Sequence, residues 1–271
     1  MLFLLFAIGI GIATFGSLIG AGGGFLLVPV LLHLYPEDPP ALIAATSMAV
    51  VLSTTVSGTL AYGRMGRIDY KSGVLFSLAI FPGAILGAVA THFIRRALFE
   101  SAFGALLIFL ALQILKGTRA SGTGARESRW WIRRNFADRY GERFDYGFRR
   151  NLALWTSFLV GFLANLFGIG GGPIQVPIMV RWLGFPVTVA TATSQFVTAI
   201  MASAGVIAHL VMGSYGIESG RVLWLAIGAL IGGQIGPALA RRIRSAQIIR
   251  ILAAAITLIG AHLIYKALLR V

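Results

Sequence analysis

The sequence has no cysteine. Disulfides, thiolate metal sites and a cysteine nucleophile are thereby excluded. Charge is scarce as well. Only 12% of the 271 residues are Asp, Glu, Lys or Arg, against about 25% in a soluble domain. Acid is the rarer sign, with 9 Asp+Glu against 23 Lys+Arg. No charged residue falls in the middle of an apolar run. Outside one polar stretch, the acids are Glu37, Asp38, Asp69, Glu100 and Glu218, all near run ends. A relay of buried carboxylates, expected of many pumps, is therefore missing. His33, His92, His209 and His262 are scattered singly, and no two have the i, i+4 spacing of a zinc motif. No metal, cofactor or catalytic triad is expected, and the chain does not read as an enzyme. Nor are there segments of strict alternation about ten residues long, the mark of a transmembrane barrel.

What the chain does have is apolar sequence. It is 57% hydrophobic, with a mean hydropathy of +0.85. The runs are long and recur throughout, which implies an all-α polytopic membrane protein. The net charge of +14 sits mostly between the runs. There it sets topology and meets anionic headgroups, so membrane lipid rather than nucleic acid is the expected partner. The start of the chain has neither a basic n-region nor a small-residue cleavage site, so it is expected to be retained.

The runs form two groups of four: roughly 2–35, 41–62, 73–94 and 98–115, then 151–184, 187–212, 221–240 and 247–268. This divides the chain into an N-terminal transmembrane repeat (1–115), a basic linker (116–150) and a C-terminal transmembrane repeat (151–271). The two groups match at three places. Gly20–Pro29 (GAGGGFLLVP) aligns with Gly168–Pro177 (GIGGGPIQVP), Ala45-Thr46-Ser47 with Ala192-Thr193-Ser194, and Pro82–Ala88 with Ile231–Pro237. The offsets are 148, 147 and 149. Three ordered matches at nearly one offset imply duplication.

The first run of each repeat is too long for one span. Residues 2–35 would make a helix of about 50 Å, against a hydrocarbon core near 30 Å. Each glycine of a triplet costs about 1 kcal/mol in a helix relative to Ala, and Pro173 suits the first turn of a restarting helix. Each first run therefore reads as a helix broken at its glycines. If the broken segments cross, the repeats are parallel, with 16 basic residues on the linker side and 7 opposite. If they turn back, the repeats are inverted and the count is 18 against 5. The positive-inside rule favours the inverted arrangement and puts the linker in the cytoplasm.

The linker holds ten basic residues and four acidic ones. Phe136, Tyr140, Phe144 and Phe148 recur every four residues, downstream of Trp130 and Trp131. On a helix this spacing gives an aromatic stripe among arginines that suits a membrane surface. The alternative is a solvated connector.

Two glycine breaks at matching places point to a binding site. Backbone without side chains exposes several N–H groups, and the restarting helix adds its positive end. Half-helix N-termini facing an anion near the midplane are a recurring transporter device. The candidate substrate-binding residues are Gly22, Gly23, Gly24, Gly170, Gly171 and Gly172, with Thr46, Ser47, Thr193, Ser194 and Gln195 as neutral donors. Asn165, Gln175 and Gln234 join them as further polar side chains within apolar runs. Ser53, Thr54 and Thr198 read instead as ordinary membrane-helix hydroxyls bonded to the carbonyl four residues back.

The paired Gly-Ala-Gly-Gly-Gly-Phe-x-x-Val-Pro and Gly-Ile-Gly-Gly-Gly-Pro-x-x-Val-Pro segments, with the Ala-Thr-Ser pairs and the glycine-rich third run of each half, resemble the sulfite exporter TauE/SafE family of membrane permeases. The likeness spans the chain outside residues 116–150. It implies transport of sulfite, another sulfur-containing anion or an organosulfonate across a bacterial inner membrane. The expected activity is a secondary permease for a small anionic substrate, working by alternating access. An anion channel, or a non-transporting scaffold or lipid-binding protein, are the alternatives. Small-residue faces leave a homodimer open.

Overall fold

The computed structural model describes residues 2–115, 130–215 and 219–240, with single positions at 242, 247, 254, 257, 258 and 261. The fourth run of the second half, apart from those positions, and residues 116–129 of the linker lie outside the described residues. Nine helices and one β-hairpin are described: α1 (Leu2–Leu18), α2 (Gly24–Leu34), α3 (Pro40–Arg64), α4 (Tyr70–Thr91), α5 (Arg96–Leu115), β1 (Trp131–Ala137), β2 (Arg143–Arg149), α6 (Arg150–Phe167), α7 (Gly172–Arg181), α8 (Val187–Val211) and α9 (Ser219–Ala240).

Local chemistry sets the helix ends. Pro40 occupies the first turn of α3, where its missing N–H costs nothing. Asp69 caps α4 by accepting the Ser72 N–H at 3.0 Å. α1 and α6 stop at Gly20 and Gly168, both at positive φ, where the next N–H reaches back to the Gly16 and Ala164 carbonyls. Among the described residues, four helices are long and apolar enough to cross a membrane: α3, α4, α8 and α9. Leu78, Trp155, Leu159, Ile207 and Leu230 lie exposed on the outer faces, while Thr54, Ser157, Thr193 and Gln195 are buried. An apolar outside around a polar inside suits hydrocarbon rather than water.

Glycines set the closest helix contacts. α1 runs parallel to α9, with Gly228 against Phe6 and Gly232 against Ile10 and Thr14. α4 runs parallel to α6, with Gly83 against Phe158 and Gly87 against Phe162. A β-carbon at any of these four glycines would fall within 2.5 Å of a backbone carbonyl oxygen, so the backbones approach as only small residues permit. α3 and α8 pack antiparallel, since Met48 lies by Gly205 and Gln195 by Gly58.

The ends of these helices meet at two faces. On one, Phe185, which follows α7, packs on Tyr146 and Phe148, which precede α6. There too, Asp69 at the start of α4 accepts the Tyr146 hydroxyl at 2.8 Å and pairs with Arg134 at 3.3 Å. On the other, Arg96 at the start of α5 donates to the Leu32 and Asp38 carbonyls just around the end of α2. Arg221 at the start of α9 pairs with Asp38 at 2.9 Å, and Phe6 of α1 meets Trp224.

The linker departs from its sequence reading. Its aromatic residues lie on an antiparallel hairpin, with Phe136 opposite Phe144 and Ile132 opposite Phe148, and not on a helix. A spacing of four is a multiple of the strand period of two, so Phe144, Tyr146 and Phe148 share one face of β2. That face is buried against Phe76 and Phe185. Asp138 fixes the turn by accepting the N–H groups of Tyr140 and Glu142, with Gly141 at φ 86°.

Candidate functional site

The two glycine breaks meet in the interior. Gly24 lies so close to Gly168 and Ile169 that a β-carbon there would sit 2.6 Å from the Gly168 carbonyl oxygen. Reciprocally, a β-carbon at Gly172 would lie 2.1 Å from the Gly20 carbonyl oxygen. The N-termini of α2 and α7 therefore arrive at one junction. Each brings the positive end of a short helix. The N–H groups of Gly23, Gly24, Gly170 and Gly171 donate to no backbone carbonyl among the described residues, and all four residues are buried. Buried N–H groups are seldom left so.

The carbonyls at the junction are held. Ser47 donates its hydroxyl to the Gly168 carbonyl, and Ser194 donates to the Gly20 carbonyl at 3.1 Å. These serines clasp one break to the helix of the other half, and their protons are committed to that. Thr193 turns elsewhere, accepting the Asp69 N–H at 3.0 Å. Thr46 is buried beside Ser47. Gln195 donates weakly to the Gly16 and Ser17 carbonyls at 3.5 and 3.4 Å, leaving its Oε1 without a partner. Asn165 donates to the Gly161 carbonyl at 3.4 Å, and its Oδ1 is likewise unpartnered. Gln175, on the second turn of α7, is buried with an unpartnered Oε1. Gln234 is committed to Ser57, donating to its carbonyl at 2.7 Å.

Thr198 departs from the bond to the carbonyl four residues back that its sequence implies. Ser53 and Thr54 do bond the carbonyls four residues back, at 3.0 and 2.9 Å. Thr198 does not: its Oγ1 is buried without a partner. It stands between the breaks. A β-carbon at Gly171 would lie 3.4 Å from the Thr198 hydroxyl oxygen, and one at Gly22 would lie 3.6 Å from its methyl. The available signal was helical register, since Thr198 is one turn beyond Ser194 on α8. The arrangement thus gathers neutral donors, N–H groups that donate to no backbone carbonyl among the described residues, and two positive helix ends. Such a set has the chemistry to hold an anion without a counter-charge.

The sulfite exporter TauE/SafE family model matches residues 5–263. The chain is 34% identical, over 98% of both sequences, to the probable membrane transporter protein YunE of Bacillus subtilis. It is 26% identical to a probable membrane transporter protein of Methanocaldococcus jannaschii, covering 79% of this chain and 74% of that one. Over 88 residues it is 34% identical to sulfite exporter TauE/SafE family protein 6 of Arabidopsis thaliana, which is 32% of this chain and 20% of the relative. No solved structure matches the chain.

Proposed function

The chain belongs to the sulfite exporter TauE/SafE family, and from that premise we propose that it is a secondary permease for a small oxyanion, sulfite or another sulfur-containing anion. The observation that carries the reading is the junction: two short helices start there with N–H groups that donate to no backbone carbonyl among the described residues, beside the unpartnered hydroxyl of Thr198. Gly23, Gly24, Gly170, Gly171 and Thr198 hold the anion, and Asn165 and Gln195 line the approaches. Thr46 and Thr193 support the walls, and Gln175 orients α7.

The two halves are inverted repeats in this reading. The contacts support it: α1 lies on α9 and α6 on α4, both in parallel, while α3 and α8 cross antiparallel. Segments α1–α2 and α6–α7 turn back, because each begins and ends on one face. The hairpin is cytoplasmic, and alternating access proceeds by movement of one half against the other.

The test is thermal stability of the detergent-purified protein against sulfite, sulfate, thiosulfate, a sulfonate and chloride at matched ionic strength. A ligand of the folded state alone raises stability by about 2.7 kcal/mol at a hundredfold excess over Kd. A saturable rise with a sulfur oxyanion, lost in Gly171→Ala, is expected. Gly171 suits this variant because it has ordinary φ and its nearest neighbours are side chains at 3.3–3.4 Å. A panel in which chloride matches every sulfur anion overturns the reading.

A further inference from the structure

His92 and His209 are 117 residues apart in sequence, yet their ring centroids lie 5.7 Å apart at the face opposite the hairpin. Ser214 stands between them. Its Oγ is 3.0 Å from His92 Nε2 and 3.2 Å from His209 Nδ1. The end of α8 puts it there: Gly213 takes a positive φ of 68°, and the Ser214 N–H folds back onto the His209 carbonyl at 2.9 Å. This is the glycine-terminated helix end in its usual form. His92 is exposed, whereas His209 is fully buried with its Nε2 unpartnered.

The bonds have a direction. His92 Nδ1 lies 3.3 Å from the Ala88 carbonyl, and a carbonyl only accepts, so that nitrogen carries the proton. In neutral His92 the Nε2 is therefore bare and accepts from the Ser214 hydroxyl. Ser214 Oγ in turn accepts from His209 Nδ1–H. His209 Nε2 is left as a bare, buried base without a partner. One turn back along α8, the unpartnered Asn165 Oδ1 is seated against Gly205. A β-carbon at Gly205 would collide with it. Thr198 lies two further turns along the same face.

We propose that His209, Ser214 and His92 form a proton wire between the interior of the bundle and the face opposite the hairpin, and that oxyanion movement is linked to a proton through it. The linkage to an oxyanion rests on the function proposed above; the wire itself does not. A proton taken at His209 Nε2 releases the Nδ1 proton to Ser214 Oγ. The hydroxyl proton of Ser214 passes to His92 Nε2, and the imidazolium gives it to water. One proton enters and one leaves, and no bond between heavier atoms changes. Rotation of the hydroxyl and tautomer exchange of His209 reset the wire. This face also carries Tyr215, which donates to the Ala45 carbonyl, the Arg96–Glu100 and Arg221–Asp38 pairs, Tyr35 beneath the Arg221 guanidinium, and His33, Glu37 and Arg95 beside them. No carboxylate among the described residues bonds either imidazole.

The test has two arms on the full chain in liposomes. In the first, nitrogen-15 spectra of histidine-labelled protein follow exchange of the His209 Nδ1 proton with deuterated water. Ser214→Ala, a change in a partly exposed loop, is expected to slow this exchange about a hundredfold, the scale of one positioned proton-transfer group. Exchange that is equally fast in Ser214→Ala and in His92→Phe overturns the wire. In the second arm, a luminal pH dye reports protons moved while a sulfite gradient relaxes, against liposomes without protein. His209→Gln is expected to keep sulfite counterflow and lose the linked pH change. A pH change that survives in His209→Gln overturns the linkage. If the unaltered chain moves no sulfite, the oxyanion reading falls, while the exchange arm still decides the wire.

Discussion

A buried hydroxyl without a partner costs about 1–3 kcal/mol, and Thr198 carries one where the two helix breaks meet. A residue kept for packing would be better served by Val, which has nearly the same shape. Thr198→Val therefore separates the two roles. Without anion, its thermal midpoint is expected to equal or exceed that of the unaltered protein. With sulfite, the apparent affinity is expected to fall by about tenfold or more, since a hydrogen bond to a charged group contributes about 1.5–3 kcal/mol. A lower midpoint without anion would give Thr198 a structural role instead. The same residue shows where reading the sequence stops. Ser53, Thr54 and Thr198 look alike along their helices, and two of them behave alike. What the neighbouring segments place opposite a hydroxyl is not written in the helix that bears it. Ser47 and Ser194 teach the converse. Their place beside the breaks was legible, but the carbonyls that take their protons come from the other half.

Among the elements, the broken helices were legible because two independent signals agreed: runs too long for one span, and glycines at their middle. Helices of 17 and 11 residues, then 18 and 10, replace the two long runs. The hairpin was not legible, because aromatic residues four apart fit both periods and the pairing of β1 with β2 is a non-local fact. Its turn depends on Asp138. Burial alone would raise that carboxyl, but the Arg67 guanidinium at 3.0 Å and the N–H groups of Glu142 and Tyr140 outweigh burial and hold it below its ordinary 3.8. A lowered pKa in the folded state stabilises at pH above the unfolded value and is lost as pH falls through the folded one. Trypsin cleavage within residues 133–143 is thus expected to stay slow from pH 8 down to about 5 in the unaltered chain. In Asp138→Asn cleavage is expected to be faster throughout that range. Equal cleavage of the two proteins would remove Asp138 from the account of the turn. Tyr146 fits the same picture, its hydroxyl held protonated by burial and by the Asp69 carboxylate it serves.

At the scale of the whole molecule, the inverted arrangement dictates which ends share a side of the membrane, and the chain's own composition supplies the means to check it. With no native cysteine, single cysteines report position without background. Tyr140 on the hairpin and Trp182 after α7 are 54% and 48% exposed, and Phe93 after α4 and Leu34 at the end of α2 are 83% and 40% exposed. If α1–α2 and α6–α7 turn back, Tyr140→Cys and Trp182→Cys share one side, and Phe93→Cys and Leu34→Cys share the other. In sealed right-side-out vesicles, an impermeant maleimide is then expected to label the second pair at once and the first pair only after the vesicles are opened. If α6–α7 crosses, Trp182→Cys labels together with Phe93→Cys, and the repeats are parallel. That outcome would also remove the inverted-repeat symmetry from the alternating access proposed above, since an inverted pair makes the inward-open and outward-open states near equivalents of each other. The charge count by side already leans the same way, at 18 basic residues to 5, and the packing of Phe185 on Tyr146 and Phe148 puts the start of α6 and the end of α7 at one face.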